Sequence, residues 1–116
     1  MEIQNATEAL GALAQQTRLM VFRLLVRSGP NGLSAGSIAE NLRVSPPTLS
    51  HHLAHLERAG LLRSWRVQRQ IFYAVDFDGM RRLLTFLTED CCQGRPEICG
   101  DATRVALTAD PRTRNC

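Results

Sequence analysis

Apolar residues recur at helical spacing along most of the first ninety positions, and one stretch breaks that rule. Over 8–15, Leu10, Leu13 and Ala14 form a short stripe behind Thr7, a hydroxyl residue suited to capping. From 17 to 28 the stripe is Leu19, Phe22, Leu25 and Val26, and Ser28-Gly29-Pro30-Asn31-Gly32 then ends the helix. Two shorter helices follow. The first, 34–42, carries Ile38 and Leu42. The second opens on Ser45 as cap and Pro46 at the first helical position, and sets Leu49, Leu53 and Leu56 on one face. The break comes at 61–67 and 70–75, where Trp65, Val67, Ile71, Phe72, Tyr73 and Val75 predict two strands around Gln68-Arg69. That turn has no Asn-Gly or Asp-Gly, so the pattern leaves its register open. Helical period returns over 76–90 with Phe77, Met80, Leu83, Leu84 and Leu87, widened by Phe86. From Cys91 onward there is no period, and Gly94, Pro96, Gly100 and Pro111 predict loop and tail.

The order helix, helix, helix, helix, hairpin, helix predicts a mainly α fold with a β-hairpin wing, a winged helix-turn-helix. Residues 1–90 make the DNA-binding and dimerisation domain; residues 91–116 make a C-terminal segment and tail. On the second helix of the central pair, Pro47, Thr48, His51, Ala54, His55 and Arg58 point away from the leucines. No carboxylate stands near its start, so that face can enter a major groove. An ordinary amphipathic helix pair would show the same leucines; the hairpin that follows favours DNA. A single winged helix reads only a half-site, and the apolar breadth of the last helix, with Leu10 and Leu13 of the first, predicts a homodimer built from those two helices.

Composition sharpens this modestly. The 116 residues allow one domain with a small core. The net charge is +3 and every basic residue is arginine, with Arg58, Arg63, Arg66 and Arg69 gathered into one basic stretch. No apolar run approaches the roughly 20 residues of a membrane span, and no signal sequence opens the chain, so the expectation is a cytoplasmic protein with no membrane partner. All four cysteines, Cys91, Cys92, Cys99 and Cys116, fall in the last quarter. In a reducing compartment such a cluster reads as soft-metal ligands or a redox sensor rather than structural disulfides.

The stretches LGALAQQTRLMVFRLLV, VSPPTLSHHLAHLERAGL and RSWRVQRQIFYAV resemble the arsenic-responsive (ArsR/SmtB) family of bacterial repressors, over residues 10–87. The resemblance implies a homodimer on a two-fold, double-stranded operator that lets go when a metal or metalloid binds. It places Ser45, Thr48, Ser50 and His51 against DNA, with Arg66 and Arg69 in the wing. The chain departs from the family at Pro46, where a glutamine that can read adenine is common, and in the wing turn, which lacks the usual glycine.

The family holds its inducers at several places. A cysteine pair in the helix before the turn is absent, because SAGSIAENL has none. A zinc site along the last helix needs histidine, which DFDGMRRLLTFLTED lacks. Cys91, Cys92 and Cys99, in the spacing CC-x6-C, resemble the C-terminal arsenic site of one branch. Arsenic(III) and antimony(III) prefer thiolates and take three; zinc would want a fourth ligand. Adjacent cysteines in a regular helix point about 100° apart, so the last helix should end by 90–92 and Gly94 and Pro96 should turn the chain. Other readings stay open: incidental thiols in a tail, or a thiol-redox switch through Cys91-Cys92. A thiol-dependent arsenical-processing enzyme would need a phosphate loop beside its nucleophile, and none is present, so no catalytic residue and no organic cofactor is expected. Cys116 reads as a spectator. His51 and His55 have a metal-compatible i, i+4 spacing but no evident third ligand, which leaves His51 to DNA and His55 to solvent. Trp65 reads as wing packing.

Overall fold

In the computed structural model, which describes residues 1–89, small residues decide how the first helix lies. α1 (Ile3–Leu13) buries Ala6, Ala9 and Ala12 against α2, α4 and α5, while Leu10 stays exposed. The helical period is as expected, but its phase is not: alanines let backbones approach where leucine would hold them apart. The helix also starts at Ile3 rather than Glu8. Thr7 lies within it and donates its hydroxyl to the Ile3 carbonyl at 2.8 Å instead of capping. α2 (Gln16–Ser28) is capped by Gln15, whose side chain accepts from Arg18 N–H at 2.8 Å. It buries Val21, Phe22 and Leu25, whereas Leu19 and Val26 face outward.

Past Gly29 the chain forms a two-residue strand that the hydrophobic pattern did not announce. β1 (Leu33–Ser34) pairs with β3, Leu33 opposite Tyr73. Gly32, at φ +64, makes this possible, because any Cβ there would collide with the Tyr73 carbonyl. Ser34 then caps α3 (Ala35–Leu42) by accepting from Ser37 N–H at 3.2 Å. α4 (Pro46–Arg58) buries Leu49, Leu53 and Leu56 as its spacing predicts. Ser45 occupies the cap position, but its hydroxyl donates to Thr48 Oγ1 at 2.9 Å and caps no backbone N–H.

β2 (Leu62–Val67) and β3 (Gln70–Val75) are antiparallel and complete a three-stranded sheet in the order β1-β3-β2. Val67 faces Gln70, so Gln68 and Arg69 alone make the turn, and Gln68 takes the positive φ of +56 usually left to glycine. Asp76 caps α5 (Phe77–Thr88) through Gly79 N–H at 3.0 Å. Gly79 seats α5 directly against the Gly60 carbonyl at the end of α4, a contact no side chain would permit. α5 stops at Thr88, and Glu89 has already left helical geometry, at φ −57 and ψ 124. Ile38, Leu25, Leu53, Leu56, Leu61 and Val75 form the centre of the core, which therefore lies between α2, α3, α4 and the root of the wing. Among the described residues no helix is long and apolar enough to cross a membrane.

Candidate nucleic-acid interface

With three leucines anchoring one side of α4, its other side is set by geometry. Ser45, Thr48, Ser50 and His51 are all exposed, and Pro46 and Pro47 open the helix beside them. No acidic residue lies in the first turn, so the positive end of the helix dipole is unopposed toward phosphate. The Ser45–Thr48 hydroxyl pair fixes one donor–acceptor arrangement at this end.

The remaining histidines of α4 differ in character. His55 is half-buried rather than solvated, beside Glu8, Gly11, Arg58 and Ala59 in an open depression of about 660 Å³ between α1 and α4. Burial first, then Arg18, Arg58 and His51, pushes its pKa below the usual 6.5. His52 is half-buried as well, with Nδ1 3.2 Å from Arg18 Nη1 of α2. Burial, followed by Arg18, His51 and His55, lowers its pKa too. Both rings are thus held toward the neutral form. Among the described residues no three histidine, cysteine or carboxylate side chains gather as metal ligands.

The wing presents two unlike faces. Leu62, Ser64 and Arg66 share one with Val75, Tyr73 and Ile71 of β3. This face turns toward α4, because Ser64 donates to Glu57 Oε2 of that helix at 2.7 Å. Burial, with Glu57 adding to it, raises the Tyr73 pKa and keeps its phenol protonated. Arg66 therefore lies on the wing face that turns toward α4, exposed, its Nε donating to the Gln68 carbonyl at 3.0 Å; Arg69 is exposed at the tip. On the other face Trp65 stacks on Phe72 with centroids 5.9 Å apart, and the Arg63 guanidinium lies 4.7 Å over the indole. Arg63 also donates to the Pro30 carbonyl at 2.8 Å. Arg63 thus braces the wing against the loop after α2 and is set apart from Arg66 and Arg69. Trp65 packs, as its sequence context predicts.

The structure exposes Ser45 at the cap of α4, Thr48, Ser50 and His51 along it, and Arg66 and Arg69 on the wing. It leaves Cys91, Cys92, Cys99 and the whole segment 91–116 outside the described residues. Two functional candidates had no signal in the sequence, Arg18 and His52. They lie 34 positions apart, and nothing local to either indicates the other.

A helix-turn-helix domain model matches residues 13–64. The transcriptional activator HlyU of Vibrio cholerae is 31% identical over 89 residues, spanning 77% of this chain and 80% of HlyU. The transcriptional repressor SdpR of Bacillus subtilis is 30% identical over 82 residues, 67% of this chain and 88% of SdpR. The structure of Vibrio cholerae HlyU superposes with a TM-score of 0.59 at 33% identity, covering 75% of this chain and 97% of that one. Its reduced form also matches, with a TM-score of 0.55. An ArsR-like regulator from Rhodococcus sp. RHA1 gives 0.63 at 25% identity, covering 91% and 89% of the two chains. The homodimeric winged helix-turn-helix domain Mb0332 of Mycobacterium bovis shares the fold, with a TM-score of 0.62 at 23% identity, covering 76% and 82%. By its helix order, its wing and these relatives, the chain belongs to the ArsR-like family of winged helix-turn-helix transcriptional regulators, DNA-binding proteins and not enzymes.

Proposed function

We propose that the protein is a homodimeric repressor that grips a two-fold operator through α4 and its wing and releases it when arsenic(III) or antimony(III) binds Cys91, Cys92 and Cys99. The DNA half of this reading is carried by one observation: Thr48 and His51 project, exposed, from a carboxylate-free helix start, with exposed Arg66 on the wing face that turns toward α4. Thr48 and His51 supply base-edge hydrogen bonds, Ser45 and Ser50 position the helix, and Arg66 and Arg69 meet phosphate or the minor groove. Exposed Ile3, Leu10 and Leu87 on α1 and α5 support pairing of those helices between protomers, as does the homodimer formed by Mb0332.

The inducer half rests on the CC-x6-C spacing and on soft-ligand chemistry. α5 stops at Thr88, and convergence of adjacent thiolates requires Cys91 and Cys92 to lie outside a regular helix. A bend there reaches the dimer helices, and a coupling of roughly 1–3 kcal/mol changes DNA affinity about 5- to 150-fold. The solved reduced form of HlyU favours one second reading, a redox response through Cys91-Cys92 in the same fold.

Gel shift with operator DNA tests both. Arsenite should release the parent, while Cys91→Ser, Cys92→Ser and Cys99→Ser keep operator binding and lose release; Cys116→Ser should behave like the parent. X-ray absorption of the arsenite complex should show three sulfur neighbours and no nitrogen. Full arsenite response in Cys99→Ser would refute the three-thiolate site. Release by a thiol oxidant, with none by arsenite, would establish the redox reading instead.

A further inference from the structure

We propose that Arg18 and His52 are positioning residues for DNA reading: their hydrogen bond holds α4 in register with α1 and α2, and acidification breaks it, so that operator preference falls at low pH. This rests on the reading of α4 as the helix that meets DNA.

Arg18 makes its contacts on three elements. Its backbone N–H donates to Gln15 Oε1 at 2.8 Å, fixing the start of α2. Its Nε donates to the Ala12 carbonyl at 2.7 Å, near the end of α1. Its Nη1 reaches His52 Nδ1 at 3.2 Å, in the middle of α4. A guanidinium has donors and no acceptor, so Nδ1 must accept, and the imidazole proton must lie on Nε2. Chemistry therefore dictates the tautomer. One cation ties the two preceding helices to the recognition helix, one residue from His51 on the outward face.

This link survives only while His52 is neutral. Protonation places a hydrogen on Nδ1 and sets an imidazolium against the guanidinium. The charges acting on His52 are Arg18 of α2 and His51 and His55 of α4 itself, all cationic or able to become so. Arg58 of α4 acts on His55, and Glu8 of α1 lines the depression beside that pair. Among the described residues no carboxylate acts on His52 to stabilise its charged form. The neutral, bonded state is thus the one held near pH 7, and it is lost below 6.5, the ordinary value from which His52 is lowered. Any gain in positive charge at low pH adds attraction to every phosphate, whatever the sequence. The quantity to follow is therefore preference for operator over random duplex, which a general gain in charge does not raise.

Two measurements on the full chain decide the matter. In the free protein, ring-nitrogen NMR should show His52 protonated on Nε2 alone at pH 7.5 and titrating below 6.5; an Nδ1–H tautomer would overturn the link without reference to DNA. Fluorescence anisotropy with operator and random duplexes at pH 7.5 and 5.5 then compares the parent, His52→Gln and His52→Leu. Glutamine can still accept from Arg18 and cannot titrate, so His52→Gln should keep parental preference at pH 7.5 and retain it at 5.5. The parent should lose preference about tenfold at pH 5.5. His52→Leu, folded by circular dichroism but without an acceptor, should be low at both. A His52→Gln profile that follows the parent, or a His52→Leu preference equal to the parent's at pH 7.5, overturns the proposal. A parent that prefers no duplex at either pH defeats the DNA-reading proposal itself, an outcome distinct from failure of the His52 variants alone.

Discussion

α4 and α1 are both amphipathic helices of similar length, yet they bury opposite kinds of side chain. α4 puts Leu49, Leu53 and Leu56 inside and leaves small polar residues and His51 outside. α1 puts Ala6, Ala9 and Ala12 inside and leaves Ile3 72% and Leu10 42% exposed. A helix that hides alanine and shows leucine has spent its small face on close packing within the protomer. Its large face is left for something else to cover, and α5 adds exposed Leu87 nearby in the same sense. α4 is finished by its own fold and offers polar groups outward. On the proposed reading, the contrast separates a helix that reads from a helix that pairs.

Substitutions should break that contrast in a graded way. Leu53→Ala removes a side chain only 1% exposed and should cost about 2–5 kcal/mol, read by urea denaturation and independent of protein concentration. Ala9→Leu forces bulk between α1 and its neighbours and should cost about 1–3 kcal/mol in the same assay. Leu10→Ser joined with Leu87→Ser should leave the protomer within about 0.5 kcal/mol per site of its parent stability. The double change should nonetheless shift sedimentation toward the monomer and weaken operator binding. If instead it unfolds the protomer and leaves its mass unchanged, α1 and α5 do not pair between copies. Arg63→Ala loosens the wing brace and should cost roughly 1 kcal/mol. Arg69→Ala should lower affinity for all sequences and reduce the salt slope by about 1 without changing stability.

The smallest effect is on stability against pH. His52 and His55 are both lowered from 6.5 in the folded state, so the unfolded chain binds protons first as pH falls. Their contribution is fully present above 6.5 and is lost as pH drops through the folded values. Melting temperature should thus decline gently from pH 7 to 5, and His52→Gln should flatten part of that decline. A rise in melting temperature over the same range would reverse the sign and show that Glu8, beside His55 in the depression, outweighs burial and the neighbouring cations.

The order of elements, the leucine face of α4 and the two strands of the wing were legible from residue pattern alone, because each depends on period and propensity within a few turns of chain. Ser34, Pro46, Gly29 and Asp76 mark helix ends for the same local reason. Other features depend on what approaches from elsewhere. Ala9 rather than Leu10 faces inward because α2, α4 and α5 come close enough to exclude a larger side chain. β1 exists only because Gly32 brings Leu33 to Tyr73, and two residues of strand have no period to read. Gln68 accepts a positive φ because the pairing of Val67 with Gln70 leaves two residues to turn the chain. Arg63 reads as one more basic residue of a DNA-binding stretch, and only the fold turns it onto Trp65 and Pro30. Arg18 and His52 were silent for the same reason. A contact across 34 residues is decided by packing, which no local pattern encodes.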